Sequence, residues 1–178
     1  MIALKLSLLT IIFVACTLIG FFYGGRYSKR VLSLISLHES IRLLETEIIV
    51  FSNPLPLAIE NIRNRTSAHV YKVYERILNE IEFDQSGDLY NSFLTTSDYL
   101  KETCLLKQED IDVFLSLGKI IGKTNRKDQK QHFKYILNEL GQLIEQARVE
   151  KNTNEKMYRS LGILVGLGMI IILIDSVK

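Results

Sequence analysis

The sequence predicts an all-α protein: a helical bundle of about six helices with a transmembrane helix at each end of the chain. Three observations carry this prediction. Uncharged apolar runs lie near both ends, at residues 6–25 and 160–174. The segments between them repeat apolar residues at spacings of three and four, which is the period of an amphipathic helix. None alternates apolar and polar residues convincingly, as a half-buried strand does.

The two apolar runs differ in length. Residues 6–25 carry no charged side chain over twenty positions, which is long enough to cross the hydrocarbon core of about 30 Å. We therefore predict an N-terminal transmembrane helix over residues 1–25. Residues 160–174 are fewer, but Met157, Tyr158 and a snorkelling Arg159 can extend them into a short second span within residues 157–178. A buried core helix is the alternative interpretation of the second run.

Basic residues near the two runs lie mainly on the side of the middle region. Only Lys5 and Lys178 stand at the outer ends, against eight on the inner side: Arg26, Lys29, Arg30, Arg42, Arg148, Lys151, Lys156 and Arg159. Cytoplasmic flanks of membrane helices carry an excess of Lys and Arg. Residues 26–156 are therefore predicted to form a cytoplasmic domain of a two-pass protein, with both termini outside.

The cysteines allow a different interpretation of the N-terminus. Ala15 and Cys16 have the order of a lipoprotein signal, in which a lipidated Cys16 would anchor an exported binding module. Phe13 is a poor residue three positions before such a cysteine, and nine more uncharged residues follow it. Cys104 lies in the middle region and is not expected to pair with Cys16, which is typical of a reducing compartment.

The first helix is predicted to continue past the membrane run to about Phe51. Its apolar residues form a stripe at alternating spacings of three and four: Leu34, Leu37, Ile41, Leu44, Ile48 and Phe51. The stripe stops at Asn53 and Pro54. Asn53 is expected to cap the next helix, and Pro54 suits the first helical position.

Five further helices are predicted, over residues 54–63, 67–82, 88–100, 109–121 and 126–174. Gly87 marks the break before the helix over residues 88–100, and Gly122 marks the break after the helix over residues 109–121. The last helix carries a narrow apolar stripe before it enters the apolar run without a proline: Phe133, Leu137, Leu140, Ile144 and Ala147.

The sequence predicts no catalytic site, metal or cofactor. Residues 118–124 resemble a phosphate-binding loop, but the spacing is one residue short, Leu117 stands where glycine is required, and the preceding segment is helical in pattern. The three histidines are scattered and lack a helical partner four residues away that would complete a metal site. We therefore expect a protein that is not an enzyme and has neither a small-molecule substrate nor a nucleic-acid partner.

Charge is unevenly distributed in the middle region. Residues 75–112 contain ten acidic and three basic side chains, whereas residues 119–134 contain six basic and one acidic. Such segregation favours contact with a partner protein or with a second copy of the chain, and two solvated surfaces are the alternative. The candidate partner-binding residues are Glu39, Glu45, Glu47, Lys119, Lys123, Lys127, Lys130 and Lys134.

In the second apolar run, Gly162 and Gly166 have the four-residue spacing that lets two membrane helices approach closely. We predict that they pack against the first span of the same chain or against a membrane partner.

Several stretches resemble the stage III sporulation protein AB family of endospore-forming bacteria, over nearly the whole chain. They are residues 44–48 (LETEI), 53–58 (NPLPLA), 117–118 with Gly122, Asn125 and Gln129, and 154–157 (NEKM) running into 160–162. The chain departs from the family at Asn53, where threonine is usual, and at Asn125, where aspartate is usual. Both substitutes still cap helices.

The resemblance implies a membrane protein of the mother cell, in the assembly that joins mother cell and forespore. The family's soluble domain is similar to the platform protein of type II secretion and type IV pilus systems (GspF-like). The resemblance therefore implies a scaffold of a secretion-like channel, between membrane subunits and a separate cytoplasmic ATPase. A platform protein of a secretion or pilus machine outside sporulation is the alternative.

Overall fold

Every regular element in the described part of the chain is a helix, which confirms the all-α part of the prediction. The computed structural model describes residues 2–83, 89–121 and 126–175, and the side chains of 7, 10–82, 89–121 and 128–172. The elements are α1 (Ile2–Glu45), a π-helix (Thr46–Val50), α2 (Leu55–Arg63), α3 (Ala68–Phe83), α4 (Leu89–Leu94), α5 (Ser97–Glu102), α6 (Gln108–Ile121) and α7 (Arg126–Asp175). The predicted breaks at Gly87 and Gly122 lie outside the described residues.

The chain divides into two compact units, and the long helices α1 and α7 contribute to both. The first unit comprises Met1–Lys29 and Ala147–Lys178, and the second comprises Arg30–Gln146. In the second unit, α2 packs on α3, α3 on α4, and α4 and α5 on α6. The helical bundle is therefore built within Arg30–Gln146.

An aromatic cluster lies at the centre of the second unit. The ring of Phe114 lies 6.4 Å from that of Tyr74 and 5.5 Å from that of Phe93, measured between centroids. All three side chains are fully buried. The Tyr74 hydroxyl is 2.9 Å from the Ser40 hydroxyl of α1, so its polar end has a partner, as buried tyrosines require. This cluster connects α1, α3, α4 and α6.

The predicted apolar stripe of the first helix is confirmed as far as Leu44 and wrong beyond it. Leu34, Leu37, Ile41 and Leu44 are fully buried, whereas Ile48 is only partly buried and Phe51 is 62 % exposed. The cause is the π-helix, in which the Phe51 N–H donates to the Thr46 carbonyl oxygen, five residues back, at 3.1 Å. The wider turn changes the angular position of the residues that follow it, and Glu47 takes the buried position.

The predicted capping role of Asn53 is also wrong. Pro54 is the N-cap of α2, and the Ala58 N–H donates to its carbonyl oxygen at 2.9 Å. The Asn53 side chain instead donates to the Glu47 carboxylate at 2.7 Å. A buried carboxylate has the greater need of a donor, because an unpartnered charge in the interior is costly.

The helix predicted over residues 88–100 is two short helices, α4 and α5. Between them, the Thr95 hydroxyl donates to the Ser92 carbonyl oxygen at 2.8 Å, and the Thr96 hydroxyl donates to the Phe93 carbonyl oxygen at 2.6 Å. Such local bonds compete with helical hydrogen bonding and favour a break.

A buried ion pair joins α1 to the start of α6. Arg30 Nε and Nη2 donate to the two Asp110 carboxylate oxygens, each at 2.8 Å, and Asp110 also accepts the Lys107 N–H at 2.9 Å. Arg30 and Asp110 are both buried. Arg30 Nη2 donates further to the half-exposed Glu109 at 3.1 Å. The bidentate geometry makes this the strongest kind of ion pair that the two side chains can form.

We predict that Asp110→Asn destabilises the second unit by about 3 to 5 kcal/mol, because it leaves the buried Arg30 charge without its main partner. In full-length protein with Cys16→Ser, the buried Cys104 thiol is a reporter, since a maleimide reaches it only when the unit opens. Its labelling rate should rise steeply in Asp110→Asn. Glu109→Gln is the control, and loss of so exposed a pair should cost less than about 1 kcal/mol. Equal labelling rates in the two variants would contradict a central role for Asp110.

Candidate functional site

The described part of the first unit is an antiparallel pair of α1 and α7. Along the pair, Phe13 lies near Gly166, Cys16 and Gly20 near Gly162, and Gly24 near Glu155. Residue numbers rise along one helix as they fall along the other, so the two helices run in opposite directions.

The contact is close because glycines form it. A methyl group on Gly20 would lie 2.7 Å from the Tyr158 carbonyl oxygen, and one on Gly162 would lie 3.0 Å from the Cys16 carbonyl oxygen. On Gly166 it would lie 2.8 Å from the Phe13 ring. At Gly20 the nearest atom is backbone and the distance is shorter than real side chains show, so a larger residue there would push the helices apart. At Gly162 the fit is tight, and at Gly166 the close atoms belong to the Phe13 side chain. Small residues of this kind let membrane helices pack backbone to backbone.

Away from this contact, the pair presents apolar side chains outward. One helix among the described residues, Thr10–Val50, is long and apolar enough to cross a membrane. It comprises most of α1 and the π-helix that follows. The same criterion does not single out α7 within the described residues. Large apolar side chains nevertheless face outward on both helices, including Ile11, Leu18, Ile19, Phe22, Leu161, Leu164, Val165, Ile171 and Ile172.

In the second unit, a buried carboxylate fixes the turn between the π-helix and α2. Glu47 is 7 % exposed, and its Oε2 accepts Nδ2 of Asn53 at 2.7 Å and Nδ2 of Asn61 at 2.9 Å. The Asn53 N–H donates to the Glu47 carbonyl oxygen at 3.0 Å. The hydrogen bonds from Asn61 and Asn53 lower the pKa of Glu47, since they favour its charged form.

This turn carries an exposed apolar surface, which we call the turn patch: Val50, Phe51 and Leu57. Between Phe51 and Asn53, Ser52 has a φ of 60°, a conformation that non-glycine residues adopt at a cost. A strained residue held by a buried polar network indicates a turn with one defined shape. Exposed apolar side chains on such a turn are typical of an interaction surface.

The predicted partner-binding residues lie in different environments. Glu39 is exposed and Glu45 partly exposed on α1, whereas the internal hydrogen bonds of Glu47 give its carboxylate a structural role. Lys130 and Lys134 are exposed, four residues apart on α7, and so share a face. Lys119 Nζ lies 4.6 Å from the centroid of the Tyr90 ring. Lys123, and the side chain of Lys127, lie outside the described residues, and partner binding through this set stays a prediction.

The segment that resembles a phosphate loop begins inside a helix. Gly118 belongs to α6, and a methyl group there would lie 3.0 Å from the Tyr90 Cα and 3.1 Å from the Leu89 carbonyl oxygen. Its small size therefore lets α4 and α6 approach. Within the described ranges, no group of three His, Cys, Asp or Glu side chains is placed to hold a metal ion.

Comparison with known proteins agrees with the resemblance noted from the sequence. The sequence pattern of the stage III sporulation protein AB family matches residues 5–174. The chain belongs to this family. It is also 28 % identical over 170 residues to stage III sporulation protein AB of Bacillus subtilis (strain 168), covering 96 % of this chain and 99 % of that protein. No solved structure gives a significant match. A role in sporulation follows from the family.

Sequence reasoning missed several of the residues that make these contacts. The pairing of Arg30 with Asp110 joins positions 80 residues apart, and no periodic pattern reports it. Asn61 gives no signal beyond its polarity. Gly20 and Gly24 did give a signal in the sequence, since their four-residue spacing matches that of Gly162 and Gly166.

We predict a pH dependence that belongs to Glu47. Its pKa is lowered in the folded protein, so its contribution to stability is present above the unfolded pKa, about 4.3, and is lost as pH falls through the folded value. Glu47→Gln should therefore flatten the decline of the thermal midpoint with acid, measured by circular dichroism on the full-length protein from neutral pH to pH values below the unfolded pKa.

Glu39→Gln, on the preceding helix α1, is the matched control, because Glu39 is exposed. It should follow the wild-type pH profile. Parallel profiles for wild type and Glu47→Gln would show that the carboxylate does not stabilise the turn.

Proposed function

We propose that this chain is a non-enzymatic, membrane-anchored adaptor of a sporulation-specific, secretion-like channel between mother cell and forespore. In this role it couples membrane subunits of the channel to a separate cytoplasmic ATPase. The chain crosses the mother-cell membrane around the forespore twice. Residues 26–156 are cytoplasmic, and both termini lie on the other side.

The antiparallel helix pair is the observation that carries this proposal. α1 is long and apolar enough to cross a membrane, and α7 lies against it from Glu155 to at least Gly166. A helix packed alongside a membrane span, with large apolar side chains facing outward, lies at the same depth in the bilayer. The pair therefore supports two crossings, although the apolar run of α7 is short for a span on its own.

The orientation rests on charge. Arg26, Lys29, Lys156 and Arg159 flank the pair on the side of the middle region, and basic flanks favour the cytoplasmic side. The family membership supports the sporulation role. A folded helical unit with a defined turn patch and exposed lysines suits protein contact, which supports an adaptor.

Binding of the separate cytoplasmic ATPase tests the coupling role. We predict that the triple variant Lys127→Glu, Lys130→Glu, Lys134→Glu weakens capture of that ATPase by the detergent-solubilised full-length protein. A tenfold or greater loss, about 1.4 kcal/mol, is expected near 0.15 M salt, since like charges then face each other in the complex. The dissociation constant is the quantity to measure.

The matched control reverses three other exposed basic residues of the second unit: Arg42, Lys72 and Lys101. This control should bind like wild type. Equal losses in both triple variants would show that net charge, not this face, governs binding. Absence of capture by the wild-type protein would reject the coupling role, and capture of a second copy alone would indicate self-association instead.

A further inference from the structure

We propose that the helix pair carries a binding site for anionic phospholipid headgroups where its apolar surface ends. The site is formed by the basic residues of 26–29 and 147–159, which we call the basic collar. The proposal rests on the membrane placement proposed above and names the lipid that the anchor prefers.

Three tyrosines mark the level at which the apolar surface ends. The Tyr158 ring stacks on those of Tyr23 and Tyr27, with centroids 6.2 Å and 5.9 Å apart. Gly24 packs against Glu155 at the same level. Tyrosines of membrane proteins concentrate at the level of the headgroups, where their rings meet apolar chains and their hydroxyls meet water. The cluster therefore fixes the depth of the pair.

The basic collar begins at this level and extends away from the apolar surface on both helices. It contains two acidic residues, Glu150 and Glu155, against six basic ones: Arg26, Lys29, Arg148, Lys151, Lys156 and Arg159. Glu155 is bonded to Arg159 four residues later, so these two charges offset each other and the positive excess comes from the other basic residues of the collar. The collar has an excess of positive charge on two adjacent helices.

Individual side chains are placed to reach headgroup phosphates. Arg26 and Lys156 are exposed. The Arg159 guanidinium lies 4.9 Å from the centroid of the Phe21 ring, so it stands directly beside the outward apolar surface. A soluble acidic partner would not need charge at this level. A phosphodiester would, because phospholipid headgroups lie where tyrosines and arginines meet the acyl chains.

Titration of the full-length protein in neutral-detergent micelles with dioleoyl phosphatidylglycerol and, separately, dioleoyl phosphatidylcholine tests the proposal. Native mass spectrometry counts the retained lipids. We expect the protein to retain phosphatidylglycerol in clear preference to phosphatidylcholine, and this preference should weaken as the salt concentration rises. A triple variant should reduce that preference roughly fivefold for each charge removed, since one basic residue near the surface contributes about 1 kcal/mol. Its three substitutions are Arg26→Gln, Lys29→Gln and Lys156→Gln.

The control replaces Lys72, Lys130 and Lys134 of the second unit by glutamine and should keep the wild-type preference. Equal retention of the two lipids by wild type, or equal loss in both triple variants, would overturn the proposal. So would displacement of phosphatidylglycerol by millimolar glycerol phosphate, which would indicate a site for a free anion. If the wild-type protein captures the ATPase but shows no lipid preference, only the basic collar is rejected. If it prefers phosphatidylglycerol but does not capture the ATPase, only the coupling role is rejected.

Discussion

The close approach of Gly20 to Gly162 is the contact on which the pairing of α1 with α7, and with it the proposed membrane anchor, depends. A methyl group on Gly20 would lie 2.7 Å from the Tyr158 carbonyl oxygen, so a side chain there would force the helices apart. One on Gly162 would lie 3.0 Å from the Cys16 carbonyl oxygen, which is a tight fit. Lipid tails are as apolar as the side chains that face them, and hydrophobic burial therefore contributes little to helix pairing in a membrane. Van der Waals packing is then one of the main attractions between the helices, and close approach of the two backbones strengthens it.

Inside the second unit, two buried carboxylates hold the elements around them in one arrangement. Asp110 accepts bonds from Arg30 and from the Lys107 N–H, and Glu47 accepts bonds from two asparagines. Apolar contacts alone tolerate small shifts of one helix along another, whereas a buried charge is satisfied in one geometry only. These contacts fix the first turn of α6 and the turn that presents Phe51. The proposed adaptor role requires surfaces of constant shape, which these two networks would maintain.

The sequence predicted the helical class and most helix limits because apolar spacing reports them directly. α6, for example, was expected over residues 109–121 and occupies Gln108–Ile121. The spacing failed at Ile48 and Phe51, since one wide turn shifts the pattern without a change in composition. Apolar spacing could not predict the ion pair of Arg30 with Asp110, because that pair forms only in the folded chain. Gly162 was singled out from its spacing, but its position against Gly20 required the structure.

Disulfide formation between α1 and α7 tests the central claim most directly. In full-length protein with Cys16→Ser, the pair Phe13→Cys and Gly166→Cys should oxidise readily, because these positions face each other. Adding Gly20→Ile should abolish the cross-link by forcing the helices apart. Gly168→Ile should leave it unchanged, since nothing lies within 4 Å of a methyl group there. A cross-link that survives Gly20→Ile, or that never forms, would contradict the proposed anchor.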